Sequence, residues 1–334
     1  MPRIDSAEVS AETARPRPNL FIIGAPKCGT TSLYEYLKGH PQVYMSAAKE
    51  PGYFAPDNLQ PGSHQLRYGS DEDRYLALFE QAGQARRVGE ATVGYIYSEQ
   101  APGLIHEFDP AARIIVMFRD PLRMIPSLHN QRLAEGREPE ADFRRAIERE
   151  IALDGPSAPS DEPPAPGSYR DRGLFSRHLP RWLETFGREQ VHVIILEDLE
   201  REPVSQFRRV LEFLDVDPDW QPEAFRVHNV RHQPRSRLLA RLLKTGPPQW
   251  LVWNFLPRLV GDANTRRLVR RFRHSPLIRK QAARADIEPD LRRQLEEYFE
   301  PDVARLSDIL GRDLGSLWWG RPARPSPQRA APAP

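Results

Sequence analysis

Residues 20–32, with the sequence LFIIGAPKCGTTS, decide the fold that this chain predicts. The apolar run 20–23 is typical of a buried strand, and it ends at Gly24. Apolar residues at helical spacing follow from Leu33, and Gly39 predicts where that helix ends. A buried strand, a glycine-bounded loop and a helix in this order indicate the first unit of an α/β fold.

Two more apolar runs extend this unit into a sheet. Residues 114–118 predict a second buried strand, followed by a helix-start signal at Asp120 and helical spacing to about Ala134. Residues 191–196 predict a third strand, and Pro203 begins an amphipathic helix after it. Buried strands that alternate with helices predict a P-loop-like, three-layer α/β fold with a mainly parallel central sheet flanked by helices.

The composition limits the class of protein. The 334 residues are 39% hydrophobic, which is enough to bury a real core and excludes a collagenous or wholly disordered chain. No apolar run approaches the roughly 18 residues that span a bilayer, and the first residues lack the apolar region of a secretion signal. We therefore expect a soluble, cytoplasmic protein. Cys28 is the single cysteine, which excludes an intramolecular disulfide and a cysteine-based zinc site.

The chain divides into a core and low-complexity ends. We expect a disordered arm at residues 1–17, one domain at 18–320 and a disordered tail at 321–334. Within the domain, residues 152–168 form a Pro/Ser-rich surface loop. Residues 226–284 contain 15 Lys and Arg but a single acid, so the near-neutral total of +2 hides a strong asymmetry.

Such a basic block indicates contact with an anion, which could be a nucleotide phosphate, an acidic substrate, nucleic acid or a membrane surface. A solvated basic face is the alternative.

The loop after the first strand has the spacing of a phosphate-binding loop with one substitution. Gly24 and Gly29 match the glycine spacing of a Walker A motif, but Thr30 occupies the lysine position. The cation is Lys27, inside the loop. A γ-phosphate needs a lysine directly after the second glycine and a magnesium ion. A sulfuryl group carries less charge and needs less charge neutralisation. Since Gly24 and Arg119 both end strands, we expect both motifs at one crevice. A glycine turn that binds no ligand is the alternative.

Several stretches together resemble the sulfotransferases that use 3′-phosphoadenosine 5′-phosphosulfate (PAPS), in the branch of the heparan-sulfate-type enzymes and their bacterial relatives. The phosphate loop, PKCGTTSL, is followed by HPQV and KEPGYF. Residues 113–127 resemble the family's 3′-phosphate motif, with an Arg and a Ser eight residues apart. Weaker similarity at 197–199, 213–216 and 311–319 extends the resemblance to about residues 18–319.

The resemblance implies a role for each matching residue. Arg119 and Ser127 would bind the 3′-phosphate, since an arginine fork donates two parallel hydrogen bonds to phosphate. The residues of the loop would hold the 5′-phosphosulfate: Lys27, Cys28, Gly29, Thr30, Thr31 and Ser32. Lys27 would also neutralise charge on the leaving phosphate. An ordinary surface salt bridge at Arg119 and a helix-surface hydroxyl at Ser127 remain alternatives.

Glu50 is the candidate general base that the resemblance implies. It precedes the aromatic pair Tyr53 and Phe54, and Lys49 beside it favours the ionised form that a base needs. A surface glutamate in a loop is the alternative. The stretch at residues 89–95, GEATVGY, would either line the acceptor cleft or serve the structure.

The late basic region departs from the family, because the stretch that would close over the nucleotide has no glycine. We expect Arg231, Arg235 or Arg237 to reach the 3′-phosphate or to close the site. Residues 247–256 are aromatic and flanked by arginines, which would suit a lid over a hydrophobic acceptor, a packed helix or peripheral membrane contact through 247–284.

The expected activity is sulfuryl transfer from PAPS to a hydroxyl, or less readily an amine, by in-line displacement that leaves 3′,5′-adenosine bisphosphate (PAP). The acceptor would be a carbohydrate, a lipid-linked sugar or a secondary metabolite. The histidines show no metal-ligand spacing, so no metal is expected. Nucleic acid is not an expected partner, and the oligomeric state stays open. A P-loop nucleotide kinase or hydrolase and a non-catalytic anion- or membrane-binding protein are the alternatives.

Overall fold

The computed structural model describes residues 15–58, 71–153, 164–225, 232–234, 279–281 and 287–321. These residues belong to two compact units. The first unit contains residues 1–25, 29–118 and 181–226, and the second contains 26–28, 119–180 and 227–334. The phosphate loop therefore contributes residues to both units.

Eleven helices lie in the described residues. In chain order they are α1 (Thr30–Lys38), α2 (Glu72–Leu76), α3 (Ala101–Phe108), α4 (Pro121–Ala134), α5 (Phe143–Leu153), α6 (Tyr169–Gly173), α7 (Phe175–Phe186), α8 (Leu196–Arg201), α9 (Pro203–Phe213), α10 (Pro289–Leu310) and α11 (Leu314–Trp319). Short 3₁₀ helices occur at Pro56–Asn58, Ala77–Ala82 and Tyr95–Tyr97. None of the helices in the described residues has an apolar stretch long enough to cross a membrane.

A five-stranded parallel sheet is the centre of the first unit. Its strands are β1 (Leu20–Gly24), β2 (Val43–Met45), β3 (Arg87–Ala91), β4 (Arg113–Phe118) and β5 (Val191–Ile195). They pair in the order β2-β3-β1-β4-β5. The central strand β1 is completely buried, and the apolar side chains of β4 next to it are inaccessible to solvent. Parallel strands covered on both faces need such continuous apolar runs.

The second unit is mainly helical in its described part. Asp120 caps the first turn of α4 by accepting a hydrogen bond from the amide of Leu122. Its carboxylate also accepts a hydrogen bond from the indole of Trp319 on α11. Helix α6 approaches α10 closely, because a Cβ added at Gly173 would lie 2.6 Å from Phe299. A separate antiparallel pair joins β6 (His232–Pro234) to β7 (Arg279–Gln281).

The predicted α/β class is confirmed. Strands β1 and β4 lie where the apolar runs predict them, and α4 has the predicted bounds. The third strand is one residue shorter than predicted, because Leu196 begins α8 instead. Strands β2 and β3 were not predicted. The first has three residues, and the second contains a glycine and a glutamate within its apolar sequence.

Several sequence predictions fall outside the described residues. They concern residues 1–14 of the predicted arm, 154–163 of the Pro/Ser-rich loop and the tail from residue 322. They also include most of the basic block and the three arginines expected to close the site, Arg231, Arg235 and Arg237.

Candidate active site

The loop between β1 and α1 has the backbone geometry of an anion-binding turn. Lys27 and Gly29 both have positive φ angles, 64° and 89°. A Cβ at Gly29 would lie 2.6 Å from Cδ1 of Leu196, so this position requires glycine for conformation and for space. The amides of Ser32 and Leu33 donate to the carbonyl of Gly29 as α1 begins. The amides at the start of such a helix are oriented toward an incoming anion.

The hydroxyl residues that follow Gly29 lie in the first unit. Thr30 and Ser32 are buried, and Thr31 is half-buried. Lys49 donates a hydrogen bond from Nζ to Oγ1 of Thr31, at 2.5 Å. A second lysine therefore reaches the loop in the first unit. In the sequence, the only signal for Lys49 is its position directly before Glu50, which does not predict the contact with Thr31.

The pKa of Lys49 is lowered from its ordinary value. Burial is the largest cause, and the negative charges of Glu50 and Glu35 act in the opposite direction. Burial thus favours the neutral amine of Lys49, and the nearby carboxylates favour its charged ammonium form.

The second unit holds Lys27, Cys28, Arg119 and Ser127. Nη1 of Arg119 donates a hydrogen bond to the carbonyl oxygen of Lys27, at 3.3 Å. The Cys28 side chain is buried, and its thiol donates to the carbonyl of Pro26. Ser127 is buried two turns into α4. The structure thus places the predicted phosphate arginine against the backbone of the predicted loop lysine.

Arg119 has a donor atom that suits a bound anion. Its Nε atom is buried and has no hydrogen-bond partner among the described residues. An unsatisfied guanidinium donor is costly in a folded protein, and a phosphate oxygen would satisfy it. The donor set in the second unit therefore fits a phosphate group.

Glu50 lies in a short segment whose backbone is bonded to the end of β3. We call residues 50–54 the Glu50 segment. Glu50 is half-buried and has a φ of 56°, which is uncommon for a residue with a side chain. Its amide donates to the carbonyl of Ala91, at 2.9 Å. The structure fixes the backbone of the candidate base in a conformation that needs support from neighbouring residues.

Glu90 is a buried carboxylate next to this segment. Three hydroxyls donate to it, from Tyr75, Thr92 and Tyr95, at 2.6 to 2.9 Å. Its side chain is inaccessible, and burial raises the pKa of Glu90 to about 7, although the three hydrogen bonds oppose this shift. Within residues 89–95, Glu90, Thr92 and Tyr95 lie in the interior, which favours a structural role for these three, whereas Val93 and Gly94 are half-buried.

No group of three His, Cys, Asp or Glu side chains that could hold a metal ion occurs in the described part of the chain.

These features define a class of protein. A parallel sheet, a glycine-bounded loop at the end of its central strand and a helix that begins within the loop are the parts of an α/β protein that binds phosphate groups. A family model described as a sulfotransferase domain matches residues 17–237, which is more than half of the chain. The chain belongs to the sulfotransferase family, whose members are transferase enzymes.

Individual proteins agree with this family. Human carbohydrate sulfotransferase 15 is 28% identical over 251 residues, with 60% of this chain and 44% of the relative covered. Mouse heparan sulfate glucosamine 3-O-sulfotransferase 3A1 is 24% identical over 305 residues, with 91% of this chain and 65% of the relative covered. The chain thus spans less than half the length of carbohydrate sulfotransferase 15.

A solved structure supports the fold. The crystal structure of a sulfotransferase from Alicyclobacillus acidocaldarius superimposes with a TM-score of 0.64 at 29% identity. The match covers 91% of this chain and 99% of that one.

Proposed function

We propose that this protein transfers the sulfuryl group of PAPS to a hydroxyl of a carbohydrate. The observation that carries this proposal is the hydrogen bond from Arg119 to the carbonyl of Lys27. It brings the arginine of one motif against the lysine of the other, and the buried Nε of Arg119 still lacks a partner among the described residues. Family membership supports the same donor, because sulfotransferases in general use PAPS.

The donor nucleotide would be bound at its two charged ends. The loop from Lys27 to Ser32, including Cys28, Gly29, Thr30 and Thr31, would hold the 5′-phosphosulfate through backbone amides and hydroxyls. Arg119 and Ser127 would hold the 3′-phosphate. Arg231 and Arg235 stay predictions as further ligands, because both lie outside the described residues.

The transfer step needs a base and a stabilised leaving group. Glu50 would accept the proton of the acceptor hydroxyl as the oxygen forms its bond to sulfur. The bond between sulfur and the bridging oxygen breaks, and its electron pair stays on the phosphate of PAP. Lys27 would neutralise the charge that develops there, and Lys49 would add positive charge through its position at Thr31. The proton is held by Glu50 and the sulfuryl group by the acceptor.

A carbohydrate acceptor is favoured by the relatives. The matched proteins are named as a carbohydrate sulfotransferase and as a heparan sulfate glucosamine 3-O-sulfotransferase. We propose a sugar hydroxyl on this basis, while lipid-linked sugars, amines and other small molecules are further acceptors to test. Cytoplasmic localisation and peripheral membrane contact through 247–284 stay predictions. The nucleotide kinase alternative is not favoured, since Thr30 replaces the lysine that a γ-phosphate requires.

Incubation with sulfur-labelled PAPS tests the proposal. We expect label to move to desulfated heparan sulfate chains, PAP to form in equal amount, and chelators to leave the rate unchanged. Lys27→Ala should abolish transfer. Magnesium-dependent hydrolysis of ATP with no turnover of PAPS would contradict the proposal and favour the kinase or hydrolase alternative.

A further inference from the structure

Alternate residues of the Glu50 segment donate hydrogen bonds to the last residue of β3 and to two residues that follow this strand. The amide of Glu50 donates to the carbonyl of Ala91. The amide of Gly52 donates to Oγ1 of Thr92, at 3.3 Å, and the amide of Phe54 donates to the hydroxyl of Tyr95, at 3.2 Å. Two of these three bonds depend on side-chain hydroxyls, so the backbone of the segment is sensitive to how those hydroxyls are oriented.

Glu90 sets that orientation. Thr92 donates to Oε2 of Glu90 at 2.6 Å, and Tyr95 donates to Oε1 at 2.8 Å. In its ionised form Glu90 only accepts hydrogen bonds, so it draws the proton of each hydroxyl toward itself. Each hydroxyl oxygen then keeps a lone pair for the amide of Gly52 or Phe54. With Glu90 ionised, both hydroxyls donate to its carboxylate, and the amides of Gly52 and Phe54 donate to the hydroxyl oxygens.

The network lies in the interior of the first unit. Glu90 and Tyr95 are inaccessible to solvent and Thr92 is 1% exposed. The charged or titratable groups that act on Glu90 are Tyr75 from α2, Tyr95, and Glu50 itself. A group buried this deeply does not touch a substrate, but it contacts the residues that hold the candidate base.

We propose that Glu90 is a positioning residue for Glu50, acting through Thr92 and Tyr95 on the backbone of the Glu50 segment. The inference rests on the proposed role of Glu50 as the base. In-line transfer needs the base, the acceptor oxygen and sulfur in register, and small displacements reduce the rate steeply. The buried network keeps Glu50 in its left-handed backbone conformation. Without these hydrogen bonds, the segment would relax to a more favourable backbone conformation.

Two tyrosines provide a matched pair of variants. Tyr75 and Tyr95 are both fully buried, and each donates its hydroxyl to Oε1 of Glu90. Only Tyr95 also accepts the amide of Phe54. Tyr95→Phe and Tyr75→Phe therefore remove the same bond to Glu90 and the same atom from the core, but only the first releases the Glu50 segment.

Hydrogen exchange of the full-length protein tests the inference without nucleotide. Tyr95→Phe should speed exchange of the Phe54 amide about tenfold, and Thr92→Val should do the same at Gly52, because each amide loses its acceptor. Thr92→Ser should restore the protection of Gly52. Tyr75→Phe should leave exchange of the segment at the level of the unaltered protein. Equal exchange in the Tyr75 and Tyr95 variants would overturn the proposal.

Kinetics provide the functional readout. With desulfated heparan sulfate and PAPS, Tyr95→Phe and Glu90→Gln should lower kcat about tenfold while the Kd for PAP stays within about twofold. Tyr75→Phe should keep kcat within about threefold. A loss shared equally by kcat, PAP affinity and thermal stability would indicate a merely structural role and contradict the proposal. Failure of the unaltered protein to bind PAP would instead overturn the proposed function, while the exchange pattern still decides whether Glu90 orders the segment.

Discussion

The guanidinium of Arg119 donates to the carbonyl oxygen of Lys27, across 92 positions of sequence. The lysine is within the glycine-bounded loop, and the arginine follows the last residue of β4. This bond joins the two stretches that carry the resemblance to sulfotransferases. Nε of the same guanidinium is buried and has no hydrogen-bond partner in the described residues. A bound anion would provide an acceptor for this donor.

Replacement of Arg119 should weaken nucleotide binding strongly. We expect Arg119→Ala to raise the Kd for PAP about 100-fold, because a charge-assisted contact of two parallel hydrogen bonds contributes roughly 2 to 3 kcal/mol. Arg119→Lys should recover only part of the affinity, since lysine keeps the charge but lacks the planar fork. Isothermal titration calorimetry measures both variants.

An exposed arginine provides the charge control for this experiment. Arg208 lies on α9 and pairs with Glu212 and Asp219 at the surface. Arg208→Ala makes the same change in net charge and should keep the affinity for PAP within about twofold. An equal loss in the Arg119 and Arg208 variants would show that general charge, and not a specific contact, determines binding.

Glu50→Gln should separate binding from transfer. The amide has the shape of the carboxylate but cannot accept the acceptor proton, so the transfer rate should fall by about 10²- to 10⁴-fold. The affinity for PAP should stay within about twofold, since the base does not contact the product nucleotide in the proposed arrangement. Transfer from PAPS to desulfated heparan sulfate measures the first quantity and calorimetry the second. Unchanged transfer would remove Glu50 from the mechanism.

Gly29→Ala should damage both the fold and the site. The positive φ of 89° disfavours a side chain, and the new Cβ would lie 2.6 Å from Cδ1 of Leu196. We expect a loss of about 2 kcal/mol in the free energy of unfolding, with weaker PAP binding because the loop amides move. Urea denaturation measures the first effect.

Gly103→Ala is the matched control for that substitution. Gly103 lies in α3, and an added Cβ would meet no atom within 4 Å. This variant should be as stable as the unaltered protein or more stable by about 0.5 to 1 kcal/mol, since alanine favours a helix. Equal losses at Gly29 and Gly103 would contradict the steric account of the loop.

Glu90 should give the protein a distinct dependence of stability on pH. Its pKa is raised from the ordinary 4.5 to about 7 in the folded protein. The folded state therefore holds a proton that the unfolded state releases, so this contribution favours folding at low pH. It is lost as the pH rises from about 4.5 to about 7, and it changes no further above that range. The whole change is on the order of 3 kcal/mol.

The Glu90→Gln variant isolates this contribution. Its free energy of unfolding, measured by urea denaturation from pH 4.5 to 8, should lack the decline that Glu90 causes. Glu99→Gln alters an exposed glutamate and should keep the decline. Other groups contribute as well, including Asp302, whose pKa burial raises to about 6. The comparison between variants is therefore decisive, and identical curves for Glu90→Gln and the unaltered protein would contradict the assignment.

Some parts of the fold could be predicted because every local sequence signal in them favours the same secondary structure. Strands β1 and β4 are continuous apolar runs, and α4 begins with an aspartate cap and a proline. Strand β3 could not be predicted, because Glu90 is a polar residue that is buried only with its partners in place, and one of them, Tyr75, lies on helix α2. Tertiary contacts, and not local preference, determine that strand.

The candidate site could likewise be predicted only in part from the sequence. The loop glycines, Lys27 and Arg119 are identifiable from spacing and residue type, because a short motif carries its own geometry. The bond between Lys49 and Thr31 depends on how β2 returns beside α1, which no local pattern reveals. The hydrogen bonds from the Glu50 segment to Thr92 and Tyr95 likewise exist only once the sheet has formed.

The most direct measurement of the central claim is calorimetric titration of the full-length protein with PAP, once in EDTA and once in magnesium. We predict saturable binding of one PAP per chain, with the same Kd in both buffers, and a Kd raised about 100-fold in Arg119→Ala. The absence of binding by the unaltered protein at about 1 mM PAP, equivalent to a free energy weaker than about −4 kcal/mol, would contradict the assignment of Lys27 and Arg119 to a nucleotide.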